Sequence, residues 1–457
     1  MLFPAPRYGA EAITTLITRA NGSVMLIPSA PFPVVSEVLV KRPMRTLNFP
    51  SVEHFLTSEP NPYPFTKTFE ANKLDPLVCL HTSGTTGFPK PIIWTHDWAN
   101  SIAAGHYIPA PAGYERIDEI SLGPQRRIMT LFPQFHASGI ICALSFQLHL
   151  GATVVYAPAA LTPNEAVDAA ADALEILGED GKIDSLALPP LHAEYLGANT
   201  ALLERISKKV KTLLWGGGDL SHAAGSAIAA KMQIINQLAS TELGLWTGLR
   251  RLGPTDSENV EDEWHYLTFH PSLNIRFDPV SENKEGTLYE AIMVKNEGEG
   301  AWVQPIFKIN TNVEEISLGD LFTRHPYDSE KWRHSGRSDD LLNFITGEKF
   351  HPGSAEQRIA AHPGVAEVVM VGTRRPRASL LVRLNNGTSL DSVWEIVEEV
   401  NKDSPVYARV ERHMILAVTE PFPRTAKGTV QKKAAIASYE STLDVIYVKD
   451  GSFVPTR

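Results

Sequence analysis

The amino-acid sequence predicts an α/β protein in two lobes: a large lobe of mostly parallel, helix-covered sheets with a small barrel-like part, and a smaller α+β lobe after it. Three observations predict this. Short β-branched or apolar runs alternate with helical stretches from residue 77 to residue 215, the pattern of parallel strands joined by helical crossovers. Between residues 264 and 294 that alternation gives way to strands and turns. Beyond Ser338 strands and helices mix, which sets the expected domains at residues 1–337 and 338–457. A chain of 457 residues needs more than one core in any case, because single cores stop growing well short of that length.

Taken in order, residues 10–20 have helical spacing, and Val24-Met25-Leu26-Ile27 reads as a short strand. Proline punctuation over residues 32–64 reads as loops and edge segments. Leu77-Val78-Cys79-Leu80 is a strand, and beyond the loop that follows it Trp94-Thr95-His96 leads into a helix through residue 104. Further strands are expected at 128–132, 151–156, 185–188 and 212–215, with an apolar helix over 140–150 and another containing Leu202 and Leu203. The best-marked helix opens at Thr162-Pro163, where threonine caps, proline suits the first turn, and Gly178 lies past the end. In the smaller lobe, strands at 368–371, 380–384 and 414–418 flank a helix over 390–400 that Ser389 or Asp391 would cap.

A charged fraction of 21% and an apolar fraction of 43% are those of an ordinary globular protein. The net charge of -10 argues against a nucleic-acid partner, which would want a basic face. No secretion signal and no membrane-spanning apolar run is visible, so the protein reads as intracellular and cytoplasmic, with no membrane partner. Cys79 and Cys142 both lie in apolar runs and are expected to be buried free thiols.

The stretch that organises the rest is His81-Thr82-Ser83-Gly84-Thr85-Thr86-Gly87-Phe88-Pro89-Lys90, directly after a strand. Hydroxyls and glycines there let backbone N–H groups wrap phosphate oxygens, and Lys90 supplies a mobile positive charge. The phosphate loop of nucleotide hydrolases needs a lysine and then a hydroxyl immediately after its last glycine, and here Gly87 is followed by Phe88-Pro89-Lys90. The order Thr-Ser-Gly-Thr-Thr-Gly-x-Pro-Lys instead resembles the signature loop of the adenylate-forming superfamily: acyl-CoA synthetases, luciferases and the adenylation domains of nonribosomal peptide synthetases.

Adenylation of a carboxylate needs a triphosphate cradle, a divalent cation, a grip on adenosine, and a positive group where charge develops at the α-phosphate. The resemblance supplies a candidate for each. Thr82, Ser83, Gly84, Thr85, Thr86, Gly87 and Lys90 would form the cradle for ATP. Phe132-Pro133-Gln134-Phe135-His136-Ala137-Ser138-Gly139 resembles the segment whose histidine lines the channel between acyl substrate and incoming thiol, a role for His136; capping of the next helix is the plainer alternative. Gly216, Gly217 and Gly218 resemble the turn that lets backbone lie flat against adenine, where a Cβ would interfere. Leu238-Ala239-Ser240-Thr241-Glu242 resembles the segment in which Thr241 meets phosphate and Glu242 holds Mg2+, a hard cation suited to a carboxylate. Asp320 would accept the ribose hydroxyls, Arg337 would hold ribose or phosphate, and Asp339 in Arg337-Ser338-Asp339-Asp340 would be the hinge that makes the smaller lobe mobile.

Two departures stand out. The family usually has an aromatic residue and a glycine where this chain has Leu238-Ala239, and loss of that flat face weakens adenine stacking by about 1–3 kcal/mol. The adenylation lysine usually follows the glycine of the last motif; in Arg424-Thr425-Ala426-Lys427-Gly428-Thr429 it precedes it, at Lys427. The run from Asp320 to the Lys427-Gly428-Thr429-Val430 motif looks like the fungal adenylate-forming reductases, also called nonribosomal-peptide-synthetase-like proteins. Such proteins adenylate aryl or related carboxylic acids and pass the acyl group to a carrier domain. Here the acceptor is open between a separate carrier domain and coenzyme A. Asp184-Ser185-Leu186 matches a carrier attachment site in three residues only. The signature loop comes early, so the opening segment of the large lobe is expected to be missing, and the sheet to expose an apolar edge or face. These features leave a second reading open, a non-catalytic or remnant domain that only binds nucleotide or protein.

Overall fold

The computed structural model describes residues 1–5, 8–82, 89–157, 162–177, 181–252, 260–283, 286–424 and 430–450. They fall into two compact units, one of residues 1–264 with 295–314, the other of residues 265–294 with 315–457. Packing thus groups residues 265–294 and 315–337 with the C-terminal segment rather than with the large lobe in which their motifs were placed.

In the first unit, α1 (Ala10–Arg19) turns Ala10, Ile13 and Ile17 inward at helical spacing. β1 (Val24–Ile27) and β2 (Arg45–Asn48) pair in parallel across α2 (Val34–Lys41), and Met25 joins Ile13, Ile17 and Val38 in a small core. Their other face is open: Val24, Leu26 and Leu47 remain 42, 40 and 42% exposed. Residues 32–64 are therefore not only loops and edge segments, since they contain α2, β2 and a short helix, Val52–Thr57. Pro33 before α2 and Pro50 after β2 stand at element ends, where a missing N–H costs little, while Pro60, Pro62 and Pro64 lie in a loop.

β3 (Pro76–Thr82) and β4 (Lys90–Thr95) form an antiparallel hairpin with Thr82 opposite Lys90. The signature loop thus joins two antiparallel strands instead of capping a strand of a parallel sheet. The N-terminal residues run alongside, with Cys79 N donating to Met1 O at 2.8 Å and Phe3 N to Cys79 O at 3.4 Å. β4 leads into α3 (His96–His106), where the Thr95 hydroxyl accepts the Trp98 N–H.

The main sheet has five parallel strands, β5 (Arg127–Thr130), β6 (Thr153–Tyr156), β7 (Ser185–Leu188), β8 (Thr212–Trp215) and β9 (Gln233–Asn236), in the order β9-β8-β7-β5-β6. Alternate residues face opposite ways. Leu186, Leu188, Leu213 and Trp215 pack under α4 (Pro163–Leu177), α5 (Pro190–Ala198), α6 (Thr200–Lys209) and α7 (His222–Ala229). Ile128, Ala187, Leu214 and Ile235 face Leu80, Ile92, Trp94 and Trp98, so the hairpin and α3 cover the second face. α4 starts on a reciprocal cap, Glu165 N to Thr162 Oγ1 at 3.2 Å and Thr162 N to Glu165 Oε2 at 3.0 Å. The helix expected over 140–150 is α-helical only at Ala137–Ile140 and then widens into a π-helix, Ile141–Phe146. Ser185 is buried within β7, which removes it as a carrier attachment site.

In the second unit, β10 (Tyr266–Phe269), β11 (Ile275–Asn283), β12 (Gly286–Val294), β13 (Glu315–Arg324) and β14 (Trp332–Arg337) make an antiparallel array in the order β11-β12-β13-β14-β10. Phe277 stacks on Trp332 at 3.8 Å across it. A separate layer contains α8 (Gly353–Ala360), β15 (Val365–Val371), β16 (Ser379–Leu384), α9 (Leu390–Asp403) and β17 (Ile415–Val418), with the strands in the order β15-β16-β17. Ser389 is the residue that caps α9, accepting from Ser392 N.

Candidate active site

Thr82 and Lys90 stand opposite one another at the mouth of the hairpin, whereas Ser83, Gly84, Thr85, Thr86 and Gly87 lie outside the described residues. The mouth is shored from the N-terminal side. Ala5 N donates to Nε2 of the buried His81 at 3.2 Å, the Tyr8 hydroxyl meets His81 Nδ1 at 3.4 Å, and Arg19 donates to Pro89 O at 3.4 Å. None of these supports carries a local sequence signal.

Four residues past Lys90, Trp94 donates its indole N–H to Thr241 O at 2.7 Å. Trp98, stacked on Trp94 at 3.9 Å, donates to Glu242 O at 2.9 Å. These bonds fasten the main chain of the phosphate and cation candidates to the strand and helix that leave the signature loop. Thr241 is buried and Glu242 half-buried. Ala239–Ser240 pairs with Gly244–Leu245 in a tight antiparallel turn, and Ser240 Oγ accepts Leu243 N at 3.1 Å. Two tryptophans four positions apart at the loop's exit were a visible signal, though their partners 147 and 144 residues away were not.

Gly216, Gly217 and Gly218 follow the carboxyl end of β8, beside the chain leaving β9, where Gln237 N donates to Trp215 O at 2.7 Å. A Cβ on Gly216 would sit 2.4 Å from Gln237 O. Gly217 has φ +96° and nothing within 4 Å of where a Cβ would be, so it presents bare backbone to open space. Pro190, at the carboxyl end of β7, is the nearest neighbour of Gly218.

His136 lies on the loop after β5, and the strand order reverses between β5 and β7, the place where open α/β sheets bind ligands. Its Nδ1 accepts from Ser138 N at 3.3 Å and meets Ser138 Oγ at 2.9 Å. The side chain therefore caps the following helix, and its tilt is fixed by that cap. Behind it, Cys142 is buried, and burial pushes its thiol up to about 12 despite a weak bond from Thr130; both cysteines are unpaired.

The first unit also buries a polar network. Arg116 meets both oxygens of Asp118, at 3.0 and 2.6 Å, while His106 reaches Asp118 at 2.9 Å and Ser145 Oγ at 3.2 Å. Burial alone would raise the Asp118 pKa, but the bonds and charges of His106 and Arg116 outweigh it and hold the carboxyl down at about 2. With its carboxylate committed to a fully buried guanidinium, this Ser-His-Asp order is a brace between α3 and the π-helix.

In the second unit β13 and β14 bring Asp320 and Arg337 together as register partners. Asp320, 8% exposed, contacts His334 Nε2 at 3.2 Å through Oδ1 and Arg337 at 3.2 Å through Oδ2. A carboxylate has about four acceptor positions, so Asp320 retains capacity for further donors. Gly319 has φ +68°, and a Cβ there would lie 2.7 Å from Arg337. Arg337 also donates to Leu318 O at 2.9 Å and sits 3.5 Å from Asp339, the expected hinge. His334 was not anticipated. Lys427 lies outside the described residues.

A family model for AMP-binding enzymes matches residues 3–266, and one for the C-terminal domain of AMP-binding enzymes matches residues 339–451. The chain belongs to the AMP-binding enzyme family. Among curated relatives of the chain, the isocyanide synthase–NRPS hybrid crmA of Aspergillus fumigatus is 29% identical over 98% of the chain and 28% of its own length. A carboxylic acid reductase of Neurospora crassa is 28% identical over 98% of the chain and 42% of its own length. An adenylate-forming reductase of Serpula lacrymans is 29% identical over 81% of the chain and 34% of its own length. The chain thus spans less than half of each of these relatives. Among solved structures, the anthranilate CoA ligase AuaEII in complex with anthranoyl-AMP aligns with a TM-score of 0.65 at 16% identity, over 95% of this chain and 82% of that one. The O-succinylbenzoate coenzyme A synthetase MenE of Bacillus subtilis, in complex with ATP and magnesium, aligns with a TM-score of 0.65 at 15% identity, over 94% and 83%. At these identities the likeness establishes the fold. Among the described residues no helix is long and apolar enough to cross a membrane.

Proposed function

We propose that this chain is an ATP-dependent adenylating domain of the cytoplasm that converts a carboxylic acid, aryl or related, to acyl-AMP with release of pyrophosphate. Family membership supports ligase chemistry of this kind, and relatives named carboxylic acid reductase and adenylate-forming reductase support an acid substrate. The observation that carries the reading is the pair of indole bonds that fixes Thr241 and Glu242 to the exit of the signature loop. A polar segment held this way is suited to a charged ligand.

In this reading the signature loop from Thr82 to Gly87, with Lys90, grips the leaving phosphates, and Thr241 adds a hydroxyl to them. Gly216, Gly217 and Gly218, with Ala239 and Ser240, receive adenine. Asp320 and Arg337 take the ribose. Glu242 would hold Mg2+, which when bound neutralises charge on the phosphate oxygens. The carboxylate of the acid attacks the α-phosphorus while Lys427 answers the charge that develops there. His136, fixed by its cap, borders the path of the acyl acceptor, a separate carrier domain or coenzyme A. Asp339 is the hinge, so the functional division falls at residues 337 and 338.

Exchange of labelled pyrophosphate into ATP across a panel of aryl and aliphatic acids tests this. Acid-dependent exchange supports it. ATP binding by calorimetry with no exchange for any acid would leave a domain that only binds.

A further inference from the structure

The segment that carries Lys427 is entered at Phe422–Arg424 and left at Val430–Lys432, and the described residues on both sides are held by buried carboxylates. Arg424 and Val430 form an antiparallel bridge, and Gln431 N donates to Pro423 O at 2.7 Å, so the two stems converge. Glu367 of β15, 5% exposed, accepts Phe422 N at 3.0 Å and a guanidinium N–H of Arg424, while its partner across β16, Arg383, donates at 2.6 Å. Glu356 of α8, 8% exposed, accepts Met370 N of β15 at 2.8 Å and pairs with Lys432 Nζ at 2.7 Å. One carboxylate therefore pins the incoming stem and the other the outgoing stem, both referred to the same strand.

Core stability does not explain this arrangement. The surrounding strands already bury Val369, Val371 and Leu381, and buried ion pairs are often no more stabilising than apolar residues of the same volume. What a charged network adds is direction, because each oxygen accepts from a fixed donor. Burial raises the Glu367 carboxyl pKa, but the bonds from Phe422, Arg383 and Arg424 more than reverse this and lower it, so the group is charged when it holds the stem.

We propose that Glu367 and Glu356 are positioning residues for the adenylation step, a two-point clamp that fixes Phe422–Arg424 and Lys432, the described stems between which Lys427 lies in the sequence. The proposal rests on the role given to Lys427 above. It gives the clamp an effect on turnover rather than on binding, because Lys427 acts on charge that develops in the transition state.

The test uses the full chain with Glu367→Gln, Glu356→Gln and Arg424→Gln, the last leaving Glu367 paired with Arg383 in case the buried changes impair folding. Two readouts are needed. In native limited trypsinolysis followed by mass spectrometry, cleavage after Lys427 should be at least tenfold faster in the variants, with the urea midpoint moved too little to account for it. In pyrophosphate exchange, kcat should fall at least tenfold while KM for ATP and acid stay within twofold. Unchanged cleavage after Lys427 would overturn the clamp, whatever the kinetics. Faster cleavage with unchanged kcat in an active wild type would overturn its role in catalysis. A wild type without exchange would defeat the adenylation reading and the catalytic role with it, while the cleavage rates still decide whether the stems are clamped.

Discussion

Replacing Trp98 by phenylalanine isolates the link between the signature loop and the cation candidate. The ring is 2% exposed, stacks on Trp94 at 3.9 Å, and donates to Glu242 O at 2.9 Å. Phenylalanine keeps an aromatic face for the stack and deletes the donor. A neutral bond of this kind contributes about 1 kcal/mol net, and a buried carbonyl left without it costs about 1–3 kcal/mol. Global stability should therefore fall by about 1–3 kcal/mol, read as a shift of the urea midpoint. If about 1–2 kcal/mol of that loss appears as misplacement of the Glu242 main chain, the Mg2+ concentration for half-maximal pyrophosphate exchange should rise about 5- to 30-fold at saturating ATP. Trp94→Phe, which loses the 2.7 Å bond to Thr241 O, should instead raise the KM for ATP, since Thr241 faces phosphate in this scheme. A Trp98→Phe protein that is less stable but has the wild-type Mg2+ dependence would refute the reasoning, because the indole would then serve packing alone.

Other outcomes follow from the same geometry. Gly216→Ala should cost about 1–3 kcal/mol of stability, since the new Cβ would sit 2.4 Å from Gln237 O, and should weaken ATP binding by calorimetry; Gly217→Ala meets no atom and should cost only the roughly 1 kcal/mol of its left-handed φ. Asp118 has a folded pKa of about 2 against an ordinary 3.8, so its contribution is complete above about pH 4 and is lost as pH falls toward 2. Asp118→Asn leaves the buried Arg116 with only the exposed Glu119, 3.8 Å away, as a counter-charge and should be about 3–5 kcal/mol less stable at pH 7. That gap should close by about 2 kcal/mol between pH 4 and pH 2 in urea titrations, and a constant gap would contradict the assignment. Arg337→Lys loses the guanidinium Nη1 that donates to both Leu318 O and Asp320, and should raise the KM for ATP about tenfold while kcat changes little.

Four strands of the main sheet, β5 to β8, were readable because they are short, apolar and bounded by marked helices, whereas β9 was not anticipated. Thr162 and Pro163 announce α4, and the runs at 185–188 and 212–215 became β7 and β8 without displacement. β4 was not readable. Lys90-Pro91-Ile92-Ile93-Trp94-Thr95 has a proline near its start and alternates only weakly, and its strand character comes from pairing with β3. The π-helix was hidden for another reason: a continuous apolar run buried at Ile140, Ile141, Cys142 and Phe146 does not distinguish four-residue from five-residue hydrogen bonding. Residues 32–64 misled because prolines that bracket α2 and β2 look the same as prolines that fill a loop. At the candidate site, the residue types came from motifs, but the indole bonds to Thr241 and Glu242, the His81 support and the His334 contact join positions far apart in the chain, which only the folded structure brings together.

The most direct test is a single turnover of ATP, Mg2+ and a preferred aryl acid, with acyl-AMP and pyrophosphate separated and counted, on wild type and on Lys427→Ala. Acyl-AMP equal to pyrophosphate in wild type, and both reduced by at least a hundredfold in Lys427→Ala, is the predicted result. Equal yields at equal rates from both proteins, or pyrophosphate release that needs no acid, would contradict it.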